Sequence, residues 1–252
     1  LTNGPAALPV PPTRSSRRIG WESGRRPGCP DEAGGAGCSS GEDQADQSEQ
    51  PTPDAATLLE EAAQTTRDLQ SVRLDLTVQG EIPELPIETL QGDLTNVPEV
   101  GATGTADIIM MGQRFEDVDF VVAEGNLFAA LAAGDYIDFG PAADIYDVSA
   151  ILNPDTGLAN LLANFSDDAT VEGRETINGV RTLHVTGTVT PEAVNAIAPQ
   201  IGAEAPVPAG AWIRADGARD LVQAQLEPDS GTTVTMTLSE WNKPVTVVKP
   251  EV

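Results

Sequence analysis

Few side chains in this chain are of a type and spacing that could do chemistry. Cys38 is the first, in Ala36-Gly37-Cys38-Ser39-Ser40. Small residues ahead of a cysteine, followed by serines, match a bacterial lipobox, in which the thiol takes a diacylglycerol and becomes the acylated N-terminus after cleavage. Upstream, Arg17, Arg18, Arg25 and Arg26 supply charge. Trp21 to Ala36 is rich in Gly, Pro and charge, however, without the roughly 7–15 apolar residues of an export signal. Gly35 also stands at the −3 position, where an aliphatic residue is usual. Residues 1–37 are therefore expected to be an aberrant or degenerate signal region, its apolar run lost through a wrong start or a frameshift. The competing reading is a disordered cytoplasmic tail with an accidental cysteine.

The second set is acidic. Glu116-Asp117-Val118-Asp119 offers paired carboxylates, and a hydrolase could use Asp117 and Asp119. They share the outward face of one strand, with no apolar wall to raise one pKa above the other. No calcium-loop spacing accompanies them, so a solvated face is the reading adopted. The lone histidine, His184, sits in Thr182-Leu183-His184-Val185-Thr186 and alternates onto a face with two threonines. A catalytic base needs partners, so His184 is read as a solvated strand residue. Both cysteines precede residue 39, which leaves no thiol nucleophile, disulfide or zinc–sulfur site in the body. Catalytic residues, metal ligands and cofactors are all read as none.

Charge narrows the partners. The formal net charge is −25, and residues 1–37 hold five arginines against three acids. Residues 38–252 are left with nine basic and 36 acidic residues, a charge of −27. Such a surface repels phosphate backbones and anionic headgroups, which excludes nucleic acid and charge-driven membrane binding. A lipid bound here must be held by its apolar part. No stretch approaches the roughly 18 apolar residues of a spanning helix.

The elements that could position a site lie after residue 53. Residues 1–53 are polar and rich in Gly and Pro, which predicts disorder, with 38–53 as an acylated-cysteine tether. Residues 54–252, roughly 200, suit one domain. Asp54 is a plausible N-cap for a helix to Leu69, with Leu58, Ala62, Thr65 and Leu69 on one stripe. Ser71 to Gly80 alternates, with Val72, Leu74, Leu76 and Val78 on one face. Strands follow at Glu88–Leu94, Gly104–Met111 and Phe115–Val122, with Ala106, Ile108, Met110, Val118, Phe120 and Val122 facing inward. A hairpin is expected around Ala133-Gly134. A helix opens at Asn153-Pro154-Asp155, carrying Leu158, Leu161, Leu162 and Phe165, despite the cost of about 1 kcal/mol for Gly157. Asn178-Gly179 turns a second hairpin, Thr190-Pro191-Glu192 caps a short helix, and closing strands fit Ala211–Ala215, Leu221–Glu227 and Thr232–Trp241. About ten antiparallel strands with three or four helices make an α+β domain.

Such a sheet must cover its apolar face. Aromatic content is only 4%, so the inward positions are mostly aliphatic. That suits either a cavity for acyl chains or a dense core, and periodicity does not separate the two. Gly140-Pro141-Ala142-Ala143-Asp144-Ile145-Tyr146-Asp147, Leu152-Asn153-Pro154-Asp155-Thr156-Gly157-Leu158-Ala159-Asn160, Glu172-Gly173-Arg174-Glu175-Thr176-Ile177-Asn178-Gly179 and Pro206-Val207-Pro208-Ala209 resemble the actinobacterial lipoprotein family of LppX, LprA, LprF and LprG, from about Asp54 to Lys249. Gly37-Cys38-Ser39-Ser40 also fits, and supports Cys38 as the lipidation site. The resemblance implies an antiparallel half-barrel sheet with helices on its concave face, similar to the lipoprotein carriers LolA and LolB. It implies a cavity for triacylated lipids: lipoarabinomannan, lipomannan, phosphatidylinositol mannosides and triacylglycerides. Members of the LprG type imply a major-facilitator efflux transporter as partner, with the carrier lipid-anchored on the outer face of the cell membrane. Expected lipid-binding residues are Leu74, Leu76, Val78, Ala106, Ile108, Met110, Val118, Phe120 and Val122. The alternative is a structural or adhesive envelope lipoprotein with a solid core.

Overall fold

The computed structural model describes residues 53–83, 85–132 and 134–252. Cys38, the signal region 1–37 and all but the last residue of the tether lie outside the described residues. Eleven strands form one open antiparallel sheet: β1 Ser71–Gln79, β2 Ile87–Thr95, β3 Gly101–Met110, β4 Gln113–Ala123, β5 Asn126–Ala132, β6 Asp135–Pro141, β7 Thr170–Ile177, β8 Val180–Val189, β9 Val207–Arg214, β10 Leu221–Asp229 and β11 Thr232–Ser239. Their order is β6-β5-β4-β3-β2-β1-β11-β10-β9-β8-β7. Two runs of hairpins are thus joined where the first strand pairs with the last, Leu76 opposite Met236. The sheet is a half-barrel whose concave face carries the helices.

Helix α1 spans Ala55–Arg67. The Asp54 carboxylate accepts from the Thr57 backbone N–H at 2.9 Å and from its hydroxyl at 2.7 Å, satisfying donors that the first turn leaves unpaired. Its buried stripe includes Leu58, Leu59, Ala62 and Ala63, and α1 packs against α2, Leu158–Ala163, and onto β10. Helix α2 starts later than the sequence pattern predicts. The Asn153 side chain accepts from the N–H groups of Asp155 and Thr156 at 2.9 and 3.2 Å, making a turn. Gly157 is then the residue just ahead of the helix. A Cβ there would collide with the carbonyl oxygens of Ile151, Asn153 and Ala150, so glycine is required by close approach rather than tolerated inside a helix.

Helix α3, Pro191–Ile197, is capped by Thr190 as its sequence predicts. Strand β9 begins at Val207, four residues before the expected start. Pro208 and Gly210 obscure its pattern, and pairing with β8 holds it regardless, Val189 opposite Val207. Behind β4 and β5, the convex face has its own apolar cluster of Val121, Ala123 and Phe128, closed by Tyr136 and by Val247 from the C-terminal segment. Lys249 pairs with Glu124 at 2.7 Å and lies 5.6 Å from the Phe128 ring centroid. That segment braces the strands of the first hairpin run from outside.

Candidate lipid-binding cavity

Between β6 and α2 the chain crosses the concave face without a full helix. It makes two 3-10 turns, Ala142–Asp144 and Val148–Leu152. The Asp147 side chain accepts from the Ser149 N–H at 3.1 Å, and the Gln200 amide donates to the Ile145 carbonyl at 2.7 Å. The second turn packs on β2 and β3. This roof leaves a cavity of about 250 Å³ between itself and the sheet. Its floor is Ile87 and Leu90 of β2, Ala106, Ile108 and Met110 of β3, and Val118 and Phe120 of β4. Leu127, Ala129 and Leu131 of β5 with Phe139 of β6 complete the far side, and Pro86, Ile145, Tyr146 and Val148 close it. Among the described residues every side chain on this wall is apolar except the Tyr146 phenol. Tyr146 is 7% exposed, and burial pushes its pKa above the ordinary tyrosine value, with the Asp147 charge adding to the effect.

Of the nine expected lining residues, the cavity brings together Ala106, Ile108, Met110, Val118 and Phe120. Leu74, Leu76, Val78 and Val122 are not on its wall, which corrects the expectation for those four. Leu74, Leu76 and Val122 are buried in the one continuous apolar core, which also takes in the cavity residues Leu90, Ala106, Phe120, Tyr146 and Val148, and Val78 packs against that core half-buried. Parity assigned the correct face, but parity says nothing about what covers it. The boundary is visible in one cross-strand row, Leu74–Gly92–Gly104–Phe120. A Cβ on Gly92 would lie 3.1 Å from the Phe120 ring and 2.9 Å from the Thr103 carbonyl. Two adjacent glycines let the Phe120 ring lean across the sheet, between the cavity and the row's other large side chain, Leu74. Val122 lies one row further on, in line with Val72, Leu94 and Ala102, towards the strand ends where the 3-10 turn bearing Ile151 and Leu152 packs.

Sequence reasoning missed Ile87, Leu90, Leu127, Ala129, Leu131 and Phe139; Leu127-Phe128-Ala129-Ala130-Leu131 is apolar throughout, so no alternation marks its inward face. It also missed the roof residues, which carry no periodicity at all. Around the hairpin of β3 and β4, Arg114 meets Glu88 at 3.1 Å, Asp107 at 3.3 Å and Glu116 at 3.4 Å. The Asp107 carboxyl is held below its usual pKa chiefly by the Asp117 N–H, with Arg114 a lesser cause. Asp117 itself sits at a bulge with φ 52°, which resets the strand so that Val118 faces inward. Asp117 and Asp119 are both exposed, on a face with no enclosing wall.

His184 is not freely solvated. It is paired opposite Trp212 on β9, and the rings stack with centroids 4.1 Å apart and planes 9° from parallel. His184 Nδ1 lies 3.0 Å from Glu175, whose other oxygen accepts from the Trp212 indole at 2.8 Å. This cluster stands well apart from the cavity in the strand order and holds β7, β8 and β9 together.

A search of known families matches the LppX_LprAFG lipoproteins over residues 54–247. The lipoarabinomannan carrier protein LprG of Mycolicibacterium smegmatis is 58% identical over 216 residues, covering 85% of this chain and 89% of that protein. The protein of the same name from Mycobacterium tuberculosis is 52% identical over 217 residues, covering 86% and 89%. Among solved structures, LprF from Mycobacterium bovis superposes with a TM-score of 0.71 at 30% identity, covering 78% of this chain and 96% of that one. LppX from Mycobacterium tuberculosis gives 0.62 at 25% identity, covering 77% and 98%. With the family matched along the whole described sheet and its roof, this chain belongs to the LppX_LprAFG lipoproteins.

Proposed function

We propose that the protein is an envelope lipoprotein that takes the acyl chains of triacylated lipids into the concave cavity and carries them across the cell envelope. Its cargo would be lipoarabinomannan, lipomannan, phosphatidylinositol mannosides or triacylglycerides. One observation carries this reading: a wall of aliphatic and aromatic side chains, with a single hydroxyl, encloses space in a chain this similar to lipoarabinomannan carriers. Burying an acyl chain gains about 0.8 kcal/mol per CH₂, so no ionic contact is needed while the glycan stays in water. The cavity also speaks against a solid-core adhesive lipoprotein.

About 250 Å³ is below the roughly 300–1,000 Å³ of ligand sites, so a triacylated cargo requires the roof at 142–152 to yield. The proposal includes an anchor at Cys38 on the outer face of the cell membrane and a major-facilitator efflux transporter as the source of lipid. Catalysis forms no part of it. The paired acids Asp117 and Asp119 are exposed, on a face with no enclosing wall.

Native mass spectrometry of the protein purified from an actinobacterial host tests the cargo. Co-purifying masses of triacylated lipid are expected. A protein that emerges empty and takes up no acylated lipid from vesicles would overturn the proposal.

A further inference from the structure

We propose that the Tyr146 hydroxyl reads the acyl ester of the cargo, donating a hydrogen bond to an ester carbonyl inside the cavity. The inference rests on the carrier reading and adds which lipid linkage the site selects. Tyr146 is more than nine-tenths buried and lies on the cavity wall. Its hydroxyl makes no hydrogen bond to any described residue; Tyr136, half-buried on the convex face, is likewise without one, whereas Trp212 and Trp241 are both satisfied. Trp212 donates to Glu175 and Trp241 to the Leu221 carbonyl, at 2.8 and 3.1 Å. Nor is the oxygen sealed away in the manner of Thr66 Oγ1 or Gln200 Oε1. The residue that carries it lines the cavity.

Phenols in largely buried positions ordinarily find a hydrogen-bond partner. Phenylalanine would fill the same wall with no polar group to satisfy. The position is also held: Ile145, just before it, accepts from Gln200, and Asp147, just after it, caps the following 3-10 turn. The ring therefore presents its hydroxyl from a fixed roof position. The protonated phenol has a proton to donate, and the partner that would take it is an acceptor that enters with an apolar ligand. An ester carbonyl is the acceptor that every O-acylated lipid carries where chain meets headgroup. An ether-linked chain of the same length offers no carbonyl there.

The test uses the full chain and two probes with equal chains, tripalmitin and its trihexadecyl ether, each presented in phosphatidylcholine vesicles. The unmodified protein should bind the ester roughly three- to tenfold tighter than the ether, the factor expected of one net hydrogen bond. Tyr146→Phe should erase that preference, leave ether binding within about twofold, and leave the empty protein with an equal or higher Tm. A preference that survives in Tyr146→Phe, or equal loss of both lipids, overturns the assignment. Equal binding of both probes by the unmodified protein overturns it too, while sparing the carrier reading. Uptake of neither probe would sink the carrier reading and this one together.

Discussion

The two halves of the sheet meet the same problem with different solutions. From β1 through β11 to β8, the concave face is covered by α-helices, and Leu58, Leu158, Leu161, Leu162, Ile213, Leu221 and Leu226 fill the space at 1% exposure or less. From β2 to β6 the cover is two 3-10 turns, and the floor includes the small Ala106 and Ala129. A helix projects a stripe of long side chains every three to four residues and so fills the space beneath it. Short 3-10 turns project few. A sheet with equal parity along its length thus becomes solid under one cover and hollow under the other. The Gly92–Gly104 pair with Phe120 across it marks the change.

The largest expected effect comes from placing the same bulk on each side. Ala106→Trp should fill the hollow half, reducing acyl uptake more than tenfold with little change in Tm. Ala211 and Ala224 face each other across β9 and β10, both 0% exposed. Ala211→Trp should cost at least the roughly 1–3 kcal/mol of core overpacking and lower the urea midpoint. If Ala106→Trp unfolds the protein as readily, the two halves are equally solid.

Removing bulk should show a smaller difference of the same sign. Leu161→Ala should cost about 2–5 kcal/mol, since its neighbours cannot close the gap. Leu131→Ala, on the cavity wall and half-buried, should cost less than half as much and enlarge the cavity. Equal losses in urea unfolding would contradict the division.

The contrast also explains what could be read in the sequence. Alternation of charged and apolar residues placed most strands within a few residues. It chose the correct face for Ala106, Ile108, Met110, Val118 and Phe120, because Asp107, Asp117 and Asp119 fix the outward parity. It could not tell Leu74 from Ala106, since both face inward and only the cover differs. That cover is set by tertiary packing of residues 142–165, where Gly157 reads as a helix-weakening residue until its close approach to the Ile151 carbonyl is known. Tyr146, in an aperiodic segment, carried no positional signal of its own.

A smaller effect follows from the cavity's neutrality. Among the described residues no charged side chain lies on its wall, and Arg114, the basic residue of the neighbouring β3–β4 hairpin, is already matched by Glu88, Asp107 and Glu116. Apolar burial is barely screened by salt. Transfer of an acylated glycolipid between vesicles should therefore change by less than about twofold from low to high salt. A steep loss would reveal a basic headgroup site.

The smallest effect separates the halves by pH. The Asp54 cap of α1 has its pKa lowered, first by the Thr57 backbone N–H and then by the Thr57 hydroxyl. A carboxyl depressed in the folded state contributes stability above its unfolded pKa, about 3.9, and that contribution is lost as pH falls through the folded value. Acid should thus loosen the first turn of α1, on the solid half, seen as faster hydrogen exchange at Thr57 and Leu58. Asp54→Asn should keep the cap and remove the acid sensitivity, since asparagine accepts the same bond without titrating. Among the described residues the cavity wall holds no group that titrates in this window, because Tyr146 is displaced upward and Asp107 points to the outer face. Lipid retention should therefore stay flat over the acid range in which α1 frays. Parallel loss of both would mean that α1 also closes the cavity, and the two halves would then be one unit.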